Sequence, residues 1–365
     1  MTPLRTGIFL TGYCLSLWLA CDFVYTKFIM KRDPGPGVPN SIYSHDLRPN
    51  FSGRIRWGSA TYPMYTNSLG FRDFAVRQIP DASGTRRVVV IGDSFTEAIG
   101  VPFEDSFVGM LNRAAQSSAD KTEYLNAGVA SYSPTLYFRK IKFLLDRGLK
   151  FDEVIVFSDI SDVQDEAQLY FCFDDDPNYR INCKASRPAA GTARPADVLD
   201  WDPRDTFGIS DQIVNTIKHY LYWYTGITKR RLHNNVRGGW TIPGFDVGDG
   251  YAPLGVEGGI ERSLKHMQAL ADLLAKHSIP LTIVVYPWPV QLEWEDRNSR
   301  QAAIWRNFCI TNCKEFVDLF PAFFAYKDSH PRSWYQDLFI PGDEHFSAAG
   351  NKFVFEELTK HLYRN

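Results

Sequence analysis

The chain lacks an excess of charge of either sign. Its 40 Lys and Arg stand against 42 Asp and Glu, for a net charge of −2. Binding to nucleic acid, or to another polyanionic surface, is carried by surplus Lys and Arg, so no nucleic-acid partner is expected. Cysteine is sparse, six in 365 residues. None has the C-x2-C spacing or the adjacent histidine that a zinc site wants, so no metal is expected. Aromatic residues are the opposite case, at 15% and crowded after residue 200. That surplus suits carbohydrate stacking, a membrane interface or a large core.

Charge is also missing from a long stretch near the N-terminus, "TGIFLTGYCLSLWLAC", Thr6 to Cys21. Apolar character resumes after Asp22 with Phe23, Val24 and Tyr25. About 20 residues span a bilayer as a helix, so this is a short but feasible span. An uncleaved anchor, a cleaved or lipidated signal ending at Cys21 and a buried core helix are the three readings. Arg5 precedes the segment, whereas Lys27, Lys31 and Arg32 follow it. By the positive-inside rule that second flank prefers the cytoplasm. The cysteines argue for export. Cys14 and Cys21 lie in the apolar segment, and the rest form two local pairs, Cys172 with Cys183 and Cys309 with Cys313. Short-spaced even cysteines in a chain with an export signal read as disulfides, with free buried thiols as the alternative; four cysteines allow three connectivities.

"DPGPGVPN", Asp33 to Asn40, propagates neither helix nor strand and hands the anchor over to a soluble part. The expected organisation is therefore an anchor over 1–32, a linker and lead-in over 33–84, and one domain over 85–365. Within the lead-in, "YPMYTNSLGFR" reads as a turn at Asn67 to Gly70 between short strands. After Gly84 the pattern becomes regular. Val88–Ile91, Val154–Phe157 and Leu281–Tyr286 are apolar without polar alternation, as in strands buried on both faces of a parallel sheet. Shorter strands are expected at Tyr124–Ala127 and Phe316–Leu319. Between them, Phe107, Leu111 and Ala114, then Tyr137, Ile141 and Leu144, then Ile260, Leu264, Met267, Ala271 and Leu274 step by three or four along helices. A last helix follows Ser347. Strands alternating with helices give a doubly wound α/β layer. A large insertion without internal repeats interrupts it from about 165 to 259.

Chemistry concentrates at two places. "RRVVVIGDSFTEAIGV" runs as strand to Gly92 and then presents Asp93 and Ser94 side by side, so Ser94 is either a helix cap or a nucleophile on a strand-to-helix turn. A nucleophilic Ser needs a base, and the base an orienting acid. Asp-x-His occurs twice: Asp328 with His330 in an irregular polar turn, and Asp343 with His345 just before the final helix. The second pair is placed at a fixed end of the sheet, within reach of the first strand's end.

"IGDSFTEAIGV", "LNAGVASYSP", "VIVFSDISDVQDE" and "GDEHFSAAG" occur in that order. Together they resemble the SGNH, or GDSL-like, hydrolase superfamily over roughly residues 85 to 365. "TNSLGFRD" is similar to the lead-in of membrane-anchored, exported members that accompany bacterial polysaccharide synthesis. The resemblance implies a flavodoxin-like three-layer α/β/α sandwich with a parallel sheet, following an N-terminal transmembrane helix. It implies Ser94 as nucleophile, His345 as general base and Asp343 as its partner. It also implies an oxyanion hole from Ser94, Ser131 and Ser161, and no cofactor. Two of these depart from the family pattern: Ser131 stands where a Gly is common, and Ser161 where an Asn donates its amide. Loss of one oxyanion donor costs about 10²- to 10³-fold in rate, and the Ser161 hydroxyl still donates. The expected function is thus an exported serine esterase or O-acyltransferase acting on acyl esters of a carbohydrate polymer. It would be single-pass in the inner membrane with its domain in the periplasm or outside the cell. The family branch implies a membrane-bound O-acyltransferase partner. The alternative is a non-catalytic accessory subunit of a membrane complex that keeps the fold.

Three further stretches carry two readings each. Asp174 to Asp176 is a cation site or a solvated loop tip; "HYLYWYTGITKRRL", His219 to Leu232, is a membrane-interface or glycan-binding element or a buried face; Trp288 stacks on a sugar or packs.

Overall fold

The computed structural model describes residues 3–29, 35–58, 60–117, 121–173, 206–225 and 235–362. Its strands are β1 (Gly37–Asn40), β2 (Ser44–Leu47), β3 (Ser52–Trp57), β4 (Ala60–Thr66), β5 (Arg72–Asp73), β6 (Arg86–Gly92), β7 (Thr122–Asn126), β8 (Glu153–Ser158), β9 (Leu281–Val285) and β10 (Glu315–Asp318). β1 and β2 pair as a separate antiparallel hairpin, and the other eight form one sheet in the order β10-β9-β8-β6-β7-β5-β4-β3. From β10 to β7 every pairing is parallel. Every residue of β8 and β9 is buried, because helices cover both faces of these central strands.

The helices used below are α1 (Pro3–Val24), α2 (Ser94–Glu97), α3 (Phe107–Gln116), α4 (Pro134–Asp146), α5 (Asp162–Gln168), α6 (Gly208–Thr225), α7 (Gly255–Lys276), α8 (Arg300–Asn312) and α9 (Ala348–Leu362). α3 packs with α9, while α4 and α5 pack with α7, which gives a helical layer on each side of the sheet. The stripes expected from the spacing are the buried ones: Phe107 and Leu111, Tyr137 and Ile141, Met267 and Leu274, Val354 and Leu358. Counted from β6, the parallel strands stand in the order 2-1-3-4-5, the flavodoxin-like arrangement. Its strand order reverses between β6 and β8, and the crevice at their carboxyl ends is where such sheets place a site.

The 33–84 stretch, read from the sequence as a linker and lead-in, carries β1 to β5: Gly37–Asn40, expected to form no strand, is β1, and β5 to β3 extend the main sheet. β5 pairs antiparallel with β7, and β4 and β3 follow outward. Its motif has a structural use. The Asn67 side chain accepts the backbone N–H groups of Leu69 and Phe71 and donates to Asp73, which makes the turn. Arg72, 1% exposed, donates to the carbonyl oxygens of Glu97, Ala98 and Val101. The two terminal nitrogens of this buried guanidinium are thereby used, on carbonyls at and just beyond the end of the helix that Ser94 begins, while its Nε has no partner among the described residues.

Ser133 precedes α4, as expected of a cap, but its hydroxyl donates to Glu166 at 2.6 Å, and that carboxylate accepts the Thr135 N–H at 2.7 Å. A carboxylate from α5 therefore does the capping and ties the insertion's first helix to the domain. Cys309 and Cys313 form a disulfide, and Cys172 is disulfide-bonded. Cys183 and Asp174 to Asp176 lie outside the described residues. α1 continues through Tyr25–Ile29, and Arg5–Ile29 is long and apolar enough to cross a membrane, with mean hydropathy 1.6 and almost no burial.

Candidate active site

β6 ends at Gly92 because nothing larger fits. A Cβ there would lie 2.2 Å from Thr96 Oγ1 and 2.9 Å from the Phe157 carbonyl oxygen on β8. The chain then turns into α2, and the two side chains after the turn divide the work. The Asp93 carboxylate accepts the Phe95 N–H at 2.9 Å and so caps the helix. Ser94, partly exposed, presents its hydroxyl at the edge of the crevice. Being the first residue of the helix, it has an N–H without an intrahelical acceptor.

Residues 340–346 approach that hydroxyl from the other end of the chain. His345 Nε2 lies 2.8 Å from Ser94 Oγ, and His345 Nδ1 lies 2.5 Å from Asp343 Oδ1. With Asp343 on Nδ1, that nitrogen carries the proton and Nε2 is the acceptor facing Ser94. The loop is held at several points. Asp343 Oδ1 also accepts the His345 N–H at 3.0 Å, and Asp343 Oδ2 accepts Trp57 Nε1–H at 2.7 Å. The Trp57 ring stands edge-on to the imidazole at 5.3 Å, and Phe95 lies 4.9 Å away on another side. Tyr335 Oη accepts the N–H groups of Gly342 and Asp343 at 2.7 and 3.0 Å. Gly350 in α9 lets the helix start close to this loop: a Cβ would lie 1.9 Å from the Leu338 carbonyl oxygen.

The electrostatics separate the acids by role. Burial pulls the His345 imidazole down, but the hydrogen bond and charge of Asp343, with Glu344 and Asp93 adding, outweigh it and leave it above its ordinary 6.5. Burial likewise pushes Asp343 up, and the hydrogen bonds and charge from His345 and Trp57 more than reverse that, so it stays ionised. Asp93 is different: burial and the nearby Asp159 raise it well above the ordinary carboxylate range. Ser94 Oγ is also 3.2 Å from Asp93 Oδ2, a longer contact than its 2.8 Å to His345 Nε2, and Asp93 is committed to capping α2. His345 is therefore the base this site offers. Asp343, Glu344 and His345 also lie close enough to hold a cation. Both imidazole nitrogens are already engaged, one by Asp343 and one by Ser94.

Ser131 and Ser161 sit on the loops after β7 and β8, at the same edge of the sheet as Ser94. Ser131 has φ +60, the left-handed conformation for which glycine is the usual choice. Its carbonyl accepts the Tyr170 hydroxyl at 2.7 Å, and no acceptor for its N–H is found among the described residues. Ser161 is 2% exposed and its N–H is spent on Asp159 Oδ1 at 2.7 Å, which leaves the hydroxyl as its available donor. Asp159 also accepts Tyr286 Oη–H at 2.8 Å and Trp288 Nε1–H at 2.6 Å. Trp288, considered above for sugar stacking, is 2% exposed and is a buried donor to that acid. The second Asp-x-His pair is a surface feature: Asp328 pairs with Arg297 and His330 stacks on Tyr326 at 4.2 Å.

Trp57, Tyr335 and Arg237 lie outside the quoted blocks, and Asp159 lies inside one without standing out in it. Arg237 donates to Asp165 Oδ1 at 2.8 Å and is the cation facing Asp93, Asp159 and Glu344.

The strand order is flavodoxin-like, and the four sequence blocks lie on the loops after β6, β7 and β8 and before α9. No family model and no curated protein matches the sequence. Among solved structures the chain is similar to an acetyl xylan esterase, AlAXEase, at 15% identity and TM-score 0.41, over 76% of this chain and 99% of that one. It is similar to an acetylxylan esterase from Geobacillus stearothermophilus at 11% and 0.40, over 78% and 98%. A psychrotrophic esterase, EstA, from Pseudoalteromonas sp. matches at 9% and 0.40, over 75% and 95%. The fold assignment stands on the strand order, and the site on its own distances.

Proposed function

We propose that the chain is a serine ester hydrolase or acyltransferase of the SGNH type. The observation that carries this is the line from Ser94 Oγ to His345 Nε2 at 2.8 Å and from His345 Nδ1 to Asp343 at 2.5 Å. In this reading Ser94 Oγ attacks an acyl carbonyl while His345 Nε2 takes its proton, and Asp343 holds the imidazolium that forms. The developing oxyanion meets the N–H groups of Ser94 and Ser131 and the hydroxyl of Ser161. The imidazolium returns its proton to the leaving alkoxide, and an acyl-enzyme ester on Ser94 remains. Water or a sugar hydroxyl, deprotonated by His345, then attacks that ester and releases Ser94. Every proton in the sequence is handled by a group of this chain.

The preferred substrate is an acyl ester of a carbohydrate polymer, met outside the cytoplasm by a domain anchored in the inner membrane. Two features support that location: an apolar helix that leads into the domain, and a disulfide between Cys309 and Cys313. A membrane-bound O-acyltransferase is the partner this reading favours. The direct test is hydrolysis of p-nitrophenyl acetate by the full chain beside Ser94→Ala, His345→Ala and Asp343→Asn. The expected result is turnover in the wild type that each substitution removes; turnover surviving Ser94→Ala would overturn the assignment. A folded wild type without turnover would favour the accessory-subunit reading, whose one structural support is the nearly complete burial of Ser161.

A further inference from the structure

The insertion's helix α6 meets the apolar N-terminal helix through polar contacts. Asp22 and Thr26, on the last turns of that apolar segment, are 2% and 5% exposed although nearly every residue around them is bare. Both are spent on α6. The Gly208 N–H donates to Thr26 Oγ1 at 2.9 Å, the Ile209 N–H to Asp22 Oδ1 at 3.0 Å and the Ser210 N–H to Asp22 Oδ2 at 2.7 Å. Trp18 Nε1–H adds a bond to Ser210 Oγ at 2.9 Å. The carboxylate thus serves as the N-terminal cap of a helix that begins 186 residues later in the chain, between Asp22 and Gly208. A groove of about 530 Å³ between the two helices is lined by Trp18, Cys21, Tyr25, Ile29 and Ile209.

Beyond that junction the apolar side of α6 is exposed. Ile213, Val214, Ile217, Tyr220 and Leu221 are 45–67% exposed. At 3.6 residues per turn they fall within about 120° of arc, and Gln212, also exposed, lies on the far side. Asp211 faces the folded domain, 3.9 Å from Arg56. A stripe of this kind, with Asp211, Gln212 and Lys218 on the same helix, suits the headgroup plane better than the hydrocarbon centre. In sequence, Lys229, Arg230 and Arg231 follow directly, as suits an anionic lipid surface.

We propose that α6 is a membrane-surface helix: it lies in the headgroup plane with its Ile213 to Leu221 stripe in lipid, joined to the membrane anchor through Asp22. The occupant of this exposed face is the bilayer, because Ile209, one turn before Ile213, lines the groove with Trp18, Cys21 and Tyr25 of the membrane anchor. One consequence rests on the esterase reading. Arg56, in a 3.9 Å ion pair with Asp211, is followed by Trp57, which donates to Asp343, so one β3 hairpin lies between the membrane-surface helix and the His–Asp pair. The site then works at the bilayer surface, on an acyl donor or acceptor presented there.

The test uses the full chain in lipid nanodiscs containing doxyl-labelled phospholipid, with the exposed Cys14 and Cys21 both changed to Ser. A fluorophore is placed in turn at Leu10→Cys, Ile217→Cys and Gln212→Cys. Strong quenching at Leu10 and Ile217, at least about threefold above Gln212, is the expected result. Quenching at Ile217 no greater than at Gln212, with Leu10 quenched, would overturn the proposal. Adding Asp22→Ala is expected to lower the Ile217 signal at least about twofold and leave Leu10 unchanged, since the cap is lost. An unchanged Ile217 signal would overturn the link through Asp22. No arm reads ester cleavage, so failure here leaves the proposed chemistry untouched.

Discussion

Trp57→Phe removes one atom's worth of chemistry from the site. The ring that stands edge-on to His345 at 5.3 Å is largely retained, while the 2.7 Å donor to Asp343 Oδ2 is lost. Asp343 Oδ1 keeps its bonds to His345, so the carboxylate loses the partner that stops it rotating. A hydrogen bond to a charged group contributes about 1.5–3 kcal/mol. Expressed wholly in the transition state, that would be about tenfold to about 150-fold in kcat/KM. Asp343 is a carboxylate before and during the reaction, so only the alignment of the imidazole changes, and the lower end, about tenfold, is expected. The measurement is kcat/KM for p-nitrophenyl acetate, with Tm in parallel. A fall in kcat/KM with KM little changed would show an orienting role. A variant that loses Tm but keeps kcat/KM within about twofold of wild type would refute it, leaving Trp57 a packing residue.

The raised imidazole of His345 sets a pH dependence. The base must be neutral, so kcat/KM falls as pH drops through its folded pKa, and the midpoint of the acid limb is expected above 6.5. Asp343→Asn removes the charge that raises it, and the limb should move to lower pH; a wild-type midpoint at or below 6.5 would contradict the account. Tyr335→Phe leaves the Gly342 and Asp343 N–H groups without their acceptor, at a cost of about 1–3 kcal/mol, so Tm and kcat/KM should both fall while Ser94→Ala loses activity alone. Gly350→Ala drives a Cβ into the Leu338 carbonyl and should destabilise the fold by about 2 kcal/mol or more in denaturant unfolding. An unaltered midpoint would mean that α9 does not pack as described.

β6, β8 and β9 were legible because each is a short run of apolar residues buried on both faces and set between turn signals and helical stretches. The Ser–His–Asp line was legible for a different reason: each end is local in sequence, Gly92 to Ser94 on one turn and Asp343 to His345 on another. Their supports were hidden by separation and by ambiguous chemistry. Trp57 is 286 residues from Asp343, and as a sequence feature it is one aromatic among many. Tyr335 acts through its hydroxyl on backbone N–H groups, which leave no side-chain pattern. Trp288 was ambiguous because an indole beside a strand end packs or stacks equally well, and only its bond to Asp159 decides. The extra strands β3 to β5 were missed as sheet members because nothing in a hairpin's sequence says which sheet it joins, and the link is a single β5 contact to β7, which lies beyond β6 in the chain.

The central claim is that Ser94 is an activated nucleophile. Full-length protein treated with a fluorophosphonate and digested for peptide mass spectrometry tests it most directly. The account predicts one adduct on the peptide bearing Ser94, absent in Ser94→Ala and strongly reduced in His345→Ala. A folded protein that takes up no label at Ser94 would contradict it.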